Sequence, residues 1–257
     1  MPSFLIWSAP EEPYEAHIKH CLEAWTRLKN RMLFTLSRLF ETKKEDVDRI
    51  IEMTILSHDI GKLSFRWQEY IHLPKDKRKK PPPHATLGAP YLFSVDDDAK
   101  TDLHFAGALA ILMHHTDSGL AQGNLEHPAE DAVLRGLVEY GTEKIRWAEG
   151  AESAFQRSLE FIYQGEGTFH TLESITLSSL ENLAKDLRMW ARCPIEVERH
   201  KHRIQALAVH HILKVCDWRA ASQRPKQEPD EDEDSERIDA RRKQSLLSVY
   251  LDGGLIV

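Results

Sequence analysis

The chain has 257 residues, 41% of them hydrophobic, with only 12 Gly and 12 Pro and a formal net charge of −7. Its length allows a large buried core in one large domain or two small ones, and the low Gly and Pro content, with few strand signals, fits one all-helical domain better. The negative balance argues at first sight against a nucleic-acid partner, whose phosphates require positive surface.

In chain order, Pro13 sits where a first helical turn can begin. Ile18, Leu22, Trp25, Leu28 and Met32 then recur at helical intervals toward Phe40. A second helix is expected from residues 44–46, with acidic residues in its first turn, through Ile50, Ile51 and Ile55 to His58 and Asp59, so it carries a His-Asp pair. Residues 70–84 read as a loop containing Lys75, Lys77, Arg78, Lys79 and Lys80, followed by Pro81, Pro82 and Pro83, which keep it extended. A short helix over 84–93, a turn at Asp96, Asp97 and Asp98, and an apolar helix over 103–113 ending in His114 and His115 come next. A polar loop over 116–124 precedes amphipathic stretches near 130–147, 154–163 and 171–190. A strong last helix begins after Pro194 and runs through Ile204, Leu207, Val215 and Asp217 to about Ser222, and a final amphipathic piece reaches Val257. The reading is an all-α fold, a helical bundle with peripheral helices, in one domain over residues 1–257.

The charge is unevenly placed. Glu228, Asp230, Glu231, Asp232, Glu233, Asp234 and Glu236 have no Lys or Arg among them and equal the whole net charge of −7, so the remainder is neutral and the tract at about 224–237 reads as a solvated acidic loop. Cys21, Cys193 and Cys216 are too scattered for a disulfide framework or a thiolate zinc site; they read as core thiols and suit a reducing cytoplasm. No run approaches the ~20 apolar residues of a membrane span, and residues 1–10 lack the pattern of a signal peptide.

Fourteen histidines are the outstanding feature of the composition. Seven residues fall in a recognisable order: His17, then His58 and Asp59, then His84, then His114 and His115, then Asp217. Buried Asp and His are costly unless compensated, and a divalent cation is the strongest compensation available. Neutral nitrogens and few carboxylates leave such a cation electrophilic. A pair about 3.5 to 4 Å apart, bridged by one carboxylate, can draw a nucleophile from water and clamp a phosphate, and Asp59 is the natural bridge. On helix two, Lys62 would share a face with His58 and Asp59 and set a positive charge beside the ligands.

This order resembles the HD superfamily, whose minimal signature is a histidine, a His-Asp doublet and a distant aspartate, matched by His17, His58, Asp59 and Asp217. The added His84, the doublet His114 and His115, the run Ser57-His58-Asp59-Ile60-Gly61-Lys62, and Asp217-Trp218 with Ser222 resemble the CRISPR-associated HD nucleases, over roughly residues 14 to 222. Only the combination is specific. The resemblance implies one divalent ion held by His17, His58, Asp59 and Asp217 and another by Asp59, His84, His114 and His115, with His58, Asp59 and Lys62 as the catalytic group. It implies manganese, nickel, cobalt, iron or magnesium as the metal. It further implies cleavage of single-stranded DNA in type I CRISPR interference beside a separate helicase subunit and the RNA-guided surveillance complex, in the cytoplasm and with no membrane partner. No Gly-rich phosphate loop ending in Gly-Lys-Ser or Gly-Lys-Thr occurs here, so a helicase must be another polypeptide.

Three alternatives stand beside these expectations. His20 lies one turn from His17 and competes as first ligand, although the setting Tyr14-Glu15-Ala16-His17-Ile18 resembles the family's segment more closely. The basic residues Lys75, Lys77, Arg78, Lys79 and Lys80 are either a solvated surface or a guide for a phosphate backbone. The same ligands would also serve an HD phosphohydrolase of nucleotides or cyclic nucleotides, or survive in a noncatalytic assembly module. Against the cyclic-dinucleotide branch, residues 116–119 read Thr-Asp-Ser-Gly, without that branch's glutamate and Gly-Tyr-Pro signature. His210 and His211 form a second doublet, but two helical turns separate His210 from Asp217, about 10 Å, too far for one ion. His104, His127, His170, His200 and His202 have no partner pattern.

Overall fold

The computed structural model describes residues 5–79, 81–82, 84–94, 100–115, 145–163 and 170–224. Among them the order is β1 (Trp7–Ala9), β2 (Glu12–Pro13), α1 (Tyr14–Leu39), α2 (Lys44–Ser57), a 3-10 turn (Ile60–Leu63), α3 (Phe65–His72), a 3-10 turn (Lys75–Lys77), α4 (Ala85–Ser94), α5 (Asp102–Met113), α6 (Ala151–Leu159), a 3-10 turn (Leu172–Ser174), α7 (Leu177–Ala191) and α8 (Glu196–Ser222). The fold is all-α apart from the short antiparallel β1–β2 hairpin.

Helix α5 is the centre. Ten of its twelve residues are buried, and a helix apolar around its whole circumference has to be enclosed by others. Around it, α2 buries Val47, Ile50, Ile51, Met53, Ile55 and Leu56, and α8 buries Ala206, Val209, Ile212, Leu213 and Cys216. Each fully buried Ile or Leu contributes about 1.5–3 kcal/mol of transfer free energy.

Side-chain pairs fix the helix directions. Tyr14 meets Leu56 and Trp25 meets Asp48, so α2 runs back along α1. Gln205 meets Leu39 while His17 lies beside Asp217, so α8 also runs against α1. Asp102 faces Gln205 and Met113 faces His210, so α5 and α8 run together. The start of α1 and the ends of α2, α5 and α8 therefore meet at one end of the bundle. Two of those ends, α2 and α5, point their carbonyl termini there, a field that favours a cation.

Several expectations need correction. Helix α2 stops at Ser57; His58 is its C-cap and Asp59, at φ −106° and ψ 9°, is nonhelical, so the His-Asp pair lies just past the helix rather than on it. Lys62 consequently shares no α-helical face with them. It sits in the 3-10 turn, where three residues per turn stack i over i+3 and bring it above Asp59. Helix α3 extends through residues 70–72, expected as loop, and the loop begins at Leu73 with the Lys75–Lys77 turn inside it. Trp147, expected at the end of a helix, instead forms a bridge to Ser64. The stretch over 171–190 is broken at Ile175 and Thr176, where Thr176 caps α7. Asp96, Asp97 and Asp98, the loop over 116–124, the stretch over 130–144, His127, Lys80, the acidic tract and the terminal piece lie outside the described residues.

Candidate metal centre

The site is assembled by helix ends. His17 is in the first turn of α1, His58 caps α2, His84 immediately precedes α4, His114 caps α5 and Asp217 lies in the last turns of α8. His17, His58, Asp59 and His114 are wholly buried, Lys62 and His84 nearly so.

Asp59 is the hub. Its Oδ2 lies 3.1 Å from His17 Nε2, 3.4 Å from His58 Nε2 and 2.7 Å from Lys62 Nζ. Its Oδ1 lies 3.2 Å from His84 Nε2 and 3.8 Å from His114 Nε2. Asp217 Oδ1 joins the first side, 3.3 Å from His17 Nε2 and 3.9 Å from His58 Nε2. His115 Nε2 joins the second, 2.7 Å from His84 Nε2.

Three of the inward nitrogens are aimed by the other nitrogen of their ring. His58 Nδ1 donates to Ile55 O at 2.5 Å and His114 Nδ1 to Ile111 O at 2.6 Å, each satisfying a carbonyl at the end of its own helix. His17 Nδ1 donates to Glu12 Oε1 at 3.2 Å. Protonation at Nδ1 leaves Nε2 as the free lone pair, the form that ligates a metal.

Two glycines permit the assembly. A Cβ on Gly61 would lie 2.1 Å from His84 O, and one on Gly88 1.9 Å from Ser57 O. Only a bare backbone lets the Lys62 turn touch the His84 segment and lets α4 rest against the end of α2. The turn is held from outside as well: Gln68 Nε2 donates to Lys62 O at 2.7 Å, and the backbones of Phe65 and Ala148 pair with Arg146 O and Leu63 O.

The atoms left without partners test whether a cation fits. His58 Nε2, His114 Nε2 and both oxygens of Asp59 are buried with no well-directed hydrogen bond, although Lys62 forms an ion pair with Asp59. Groups clustered at 3.1 to 3.9 Å without bonding one another are aimed at common points between them, which divalent ions would fill. Two donor groups satisfy ligand spacing: His17, Cys21, His58 and Asp217, and separately His84, His114 and His115. The residues present fit a metal.

The electrostatics point the same way. Burial opposes ionisation of Asp59, but His58, Lys62, His17 and His84 outweigh it and hold the carboxyl well below its ordinary range. Asp217 is likewise held low against burial by His17 and His58. Burial pushes His84 and His114 down toward neutral imidazole, and partial burial beside His84 and Lys62 brings His115 to about 3. His17 runs the other way: burial is outweighed by Cys21, Asp217 and Asp59, which favour its protonated form, so a metal there would displace a proton from Nε2.

Every expected ligand that lies among the described residues is therefore brought to this one place. His20 is in neither donor group. Lys75, Lys77 and Lys79 are exposed on the turn after α3, and Arg78 is half-buried with its Nε on Leu73 O. The decoy His210 bonds Met113 O, and Ser222 bonds Arg219 O at an exposed helix end. His104 caps α5 beside Thr101, while His202 stacks on Trp190.

Sequence reasoning missed Glu12 and Cys21. Glu12 is buried and accepts from Ser8 at 2.7 Å and Arg224 at 2.7 Å as well as from His17; burial would raise its pKa, but those partners hold it at about 2. It lies outside the helical pattern, so no periodicity flags it. Cys21 was legible, because it follows His17 by one helical turn on α1.

An all-helical domain with a His-Asp doublet at a helix end, facing imidazoles from neighbouring helices, has the HD-domain helical fold. The family model "Cas3, HD domain" matches residues 14–246, and the chain belongs to that family of CRISPR-associated HD nucleases, which are metal-dependent hydrolases. It is similar to the CRISPR-associated endonuclease Cas3-HD of Pyrococcus furiosus, 26% identical over 224 residues covering 83% of this chain and 90% of that one. The Cas3-HD of Methanocaldococcus jannaschii is 30% identical over 106 residues, 38% of this chain, which spans 43% of that relative's length. A solved CRISPR-associated Cas3 HD-domain protein from the same archaeon superposes with a TM-score of 0.60 at 20% identity, over 82% of this chain and 99% of that one, a likeness of fold. Among the described residues, no helix is long and apolar enough to cross a membrane.

Proposed function

We propose that this chain is a nuclease that hydrolyses phosphodiester bonds of single-stranded DNA in type I CRISPR interference, in the cytoplasm, with a separate helicase subunit and the RNA-guided surveillance complex. The observation that carries the reading is the division of one carboxylate between two donor groups, with Asp59 Oδ2 facing His17 and His58 and Oδ1 facing His84 and His114. His17, His58, Asp59 and Asp217 would hold one divalent ion; Asp59, His84, His114 and His115 would hold the other. Two such ions supply a nucleophile from water and neutralise charge developing on a phosphate.

The chain's own groups do the rest. Glu12, Ile55 O and Ile111 O fix the ring tautomers, so the nitrogens are oriented before anything binds. Lys62, held between Asp59 and the Trp67 ring 5.3 Å away, places a positive charge where a phosphate oxygen would arrive. Burial of His17, His58, Asp59, His84 and His114, with His115 exposed at the edge, favours a flexible single strand over a duplex, because a backbone has to enter a recess. The exposed Lys75, Lys77 and Lys79 and the half-buried Arg78, together with Lys80, would guide that strand.

The test is metal content by elemental analysis of purified protein, joined to cleavage of circular single-stranded DNA before and after chelation. About two ions per chain, cleavage lost on chelation, and a loss of roughly 10³-fold or more in D59A with its helical signal intact are expected. Cleavage indifferent to chelation and to D59A overturns the reading, and turnover of mononucleotides or cyclic dinucleotides in place of DNA reassigns the substrate. Neutralising the basic turn should weaken DNA binding and flatten its salt dependence by up to about 0.7 in log–log slope for each phosphate left without its cation; an unchanged slope removes the guide.

A further inference from the structure

We propose that Cys21 is a thiolate ligand of the ion held by His17, His58 and Asp217, and that it biases this position toward soft transition metals such as zinc, cobalt or iron over magnesium. The inference rests on the metal-centre reading above. Cys21 is wholly buried, carries a free thiol, and follows His17 by one turn of α1, so both side chains leave the helix on one face. Its Sγ lies 3.7 Å from His17 Nε2, and the ligand atoms of His17, Cys21, His58 and Asp217 all lie within 4.8 Å of one another. His58 Nε2, wholly buried and without a hydrogen-bond partner, is aimed into the same group.

The competing role is a core thiol donating S–H to His17 Nε2. That nitrogen also faces Asp59 at 3.1 Å and Asp217 at 3.3 Å, carboxylates that accept only from an Nε2–H, whereas an S–H donor needs the Nε2 lone pair, so the two arrangements exclude each other. Once its lone pair goes to an ion, the thiol loses its acceptor unless the sulfur binds too. Two imidazole nitrogens, one thiolate and the Asp217 carboxylate, with Asp59 Oδ2 beside His17 and His58, make a mixed nitrogen, sulfur and oxygen donor set of the kind that suits transition metals better than magnesium. On binding, the S–H bond breaks, its proton leaves to solvent and the sulfur lone pair forms the metal bond, with no change in oxidation state. The thiolate's negative charge makes this position the less electrophilic, leaving the histidine-rich side opposite, whose one carboxylate is the shared Asp59, as the stronger polariser of a phosphate.

Cobalt(II) reports sulfur ligation separately from binding. Anaerobic titration of the metal-free chain should give visible ligand-field bands together with a near-ultraviolet thiolate-to-cobalt charge-transfer band. That band should vanish in C21S while the ligand-field bands remain, and should survive in the double variant C193S/C216A, whose one thiol is Cys21. Cobalt affinity should fall at least about tenfold in C21S while manganese affinity changes less than about threefold. Ligand-field bands without a charge-transfer band in the wild type, or a band lost from C193S/C216A, overturn the proposal and leave the metal centre standing. Absence of any cobalt binding overturns the metal-centre reading as well. If C21S fails to fold, the double variant decides alone.

Discussion

Replacing Gly61 by Ala is the sharpest single test of how this site is held together. The added methyl would sit 2.1 Å from His84 O and 2.6 Å from His84 Cα, both main-chain atoms that no side-chain rotation can move aside. Ordinary contact needs about 1 Å more, so the 3-10 turn and the His84 segment must part by roughly that amount. His84 Nε2 lies 3.2 Å from Asp59 Oδ1 and 2.7 Å from His115 Nε2, whereas ligand distances tolerate only about 0.2 Å. Affinity at the His84–His114–His115 position should fall roughly 10- to 100-fold and cleavage roughly 100-fold, with a stability loss of about 1–3 kcal/mol. Calorimetric titration with manganese and a single-stranded DNA cleavage assay read both effects. The control is Gly107→Ala, whose methyl meets Thr54 Oγ1 at 2.6 Å and Leu92 Cδ2 at 2.8 Å in the core, and which should cost stability without changing metal stoichiometry. Two equivalents of manganese bound at wild-type affinity by G61A, with cleavage intact, would refute the claim that this close approach sets the position of His84.

Glu12→Gln should weaken the His17 side of the centre about 10- to 100-fold while sparing the other, because the amide no longer fixes the His17 tautomer by charge; one unchanged pair of manganese affinities in a two-site titration would sink that role. Metal-free stability should fall with acid. His84 and His114 are held below the ordinary 6.5, so the unfolded chain takes up protons that the folded chain refuses, and their contribution is full above about pH 6.5 and shrinks below it. Glu12, at about 2 against 4.5, adds stability that is complete above 4.5 and lost as the pH falls toward 2. His17, held above 6.5, works in the opposite direction and offsets only part of this. Urea midpoints in chelator should drop between about pH 7.5 and about pH 5.5, and a midpoint that rises over that interval contradicts the sign.

The sequence by itself determined the helical class, the positions of α1, α4, α5 and α8 to within a few residues, and the identity of the seven clustered residues. Helical periodicity is a local property, and the His-Asp doublet, His84, the His114–His115 doublet and Asp217 stand in an order that spacing alone preserves. It could not place His58 and Asp59 beyond the end of α2, since the apolar pattern runs through them and only the 3-10 turn pinned by Gln68 and Ala148 breaks the helix. It favoured His17 over His20 only through the family-like setting of residues 14–18, since the two share the face of an isolated helix until α8 brings Asp217 to His17. The two crowded glycines acquire meaning only through atoms distant in the chain, and Glu12 and Cys21 only once His17 is packed against α2 and α8, because orientation, burial and close approach are properties of the packed ends of several helices at once.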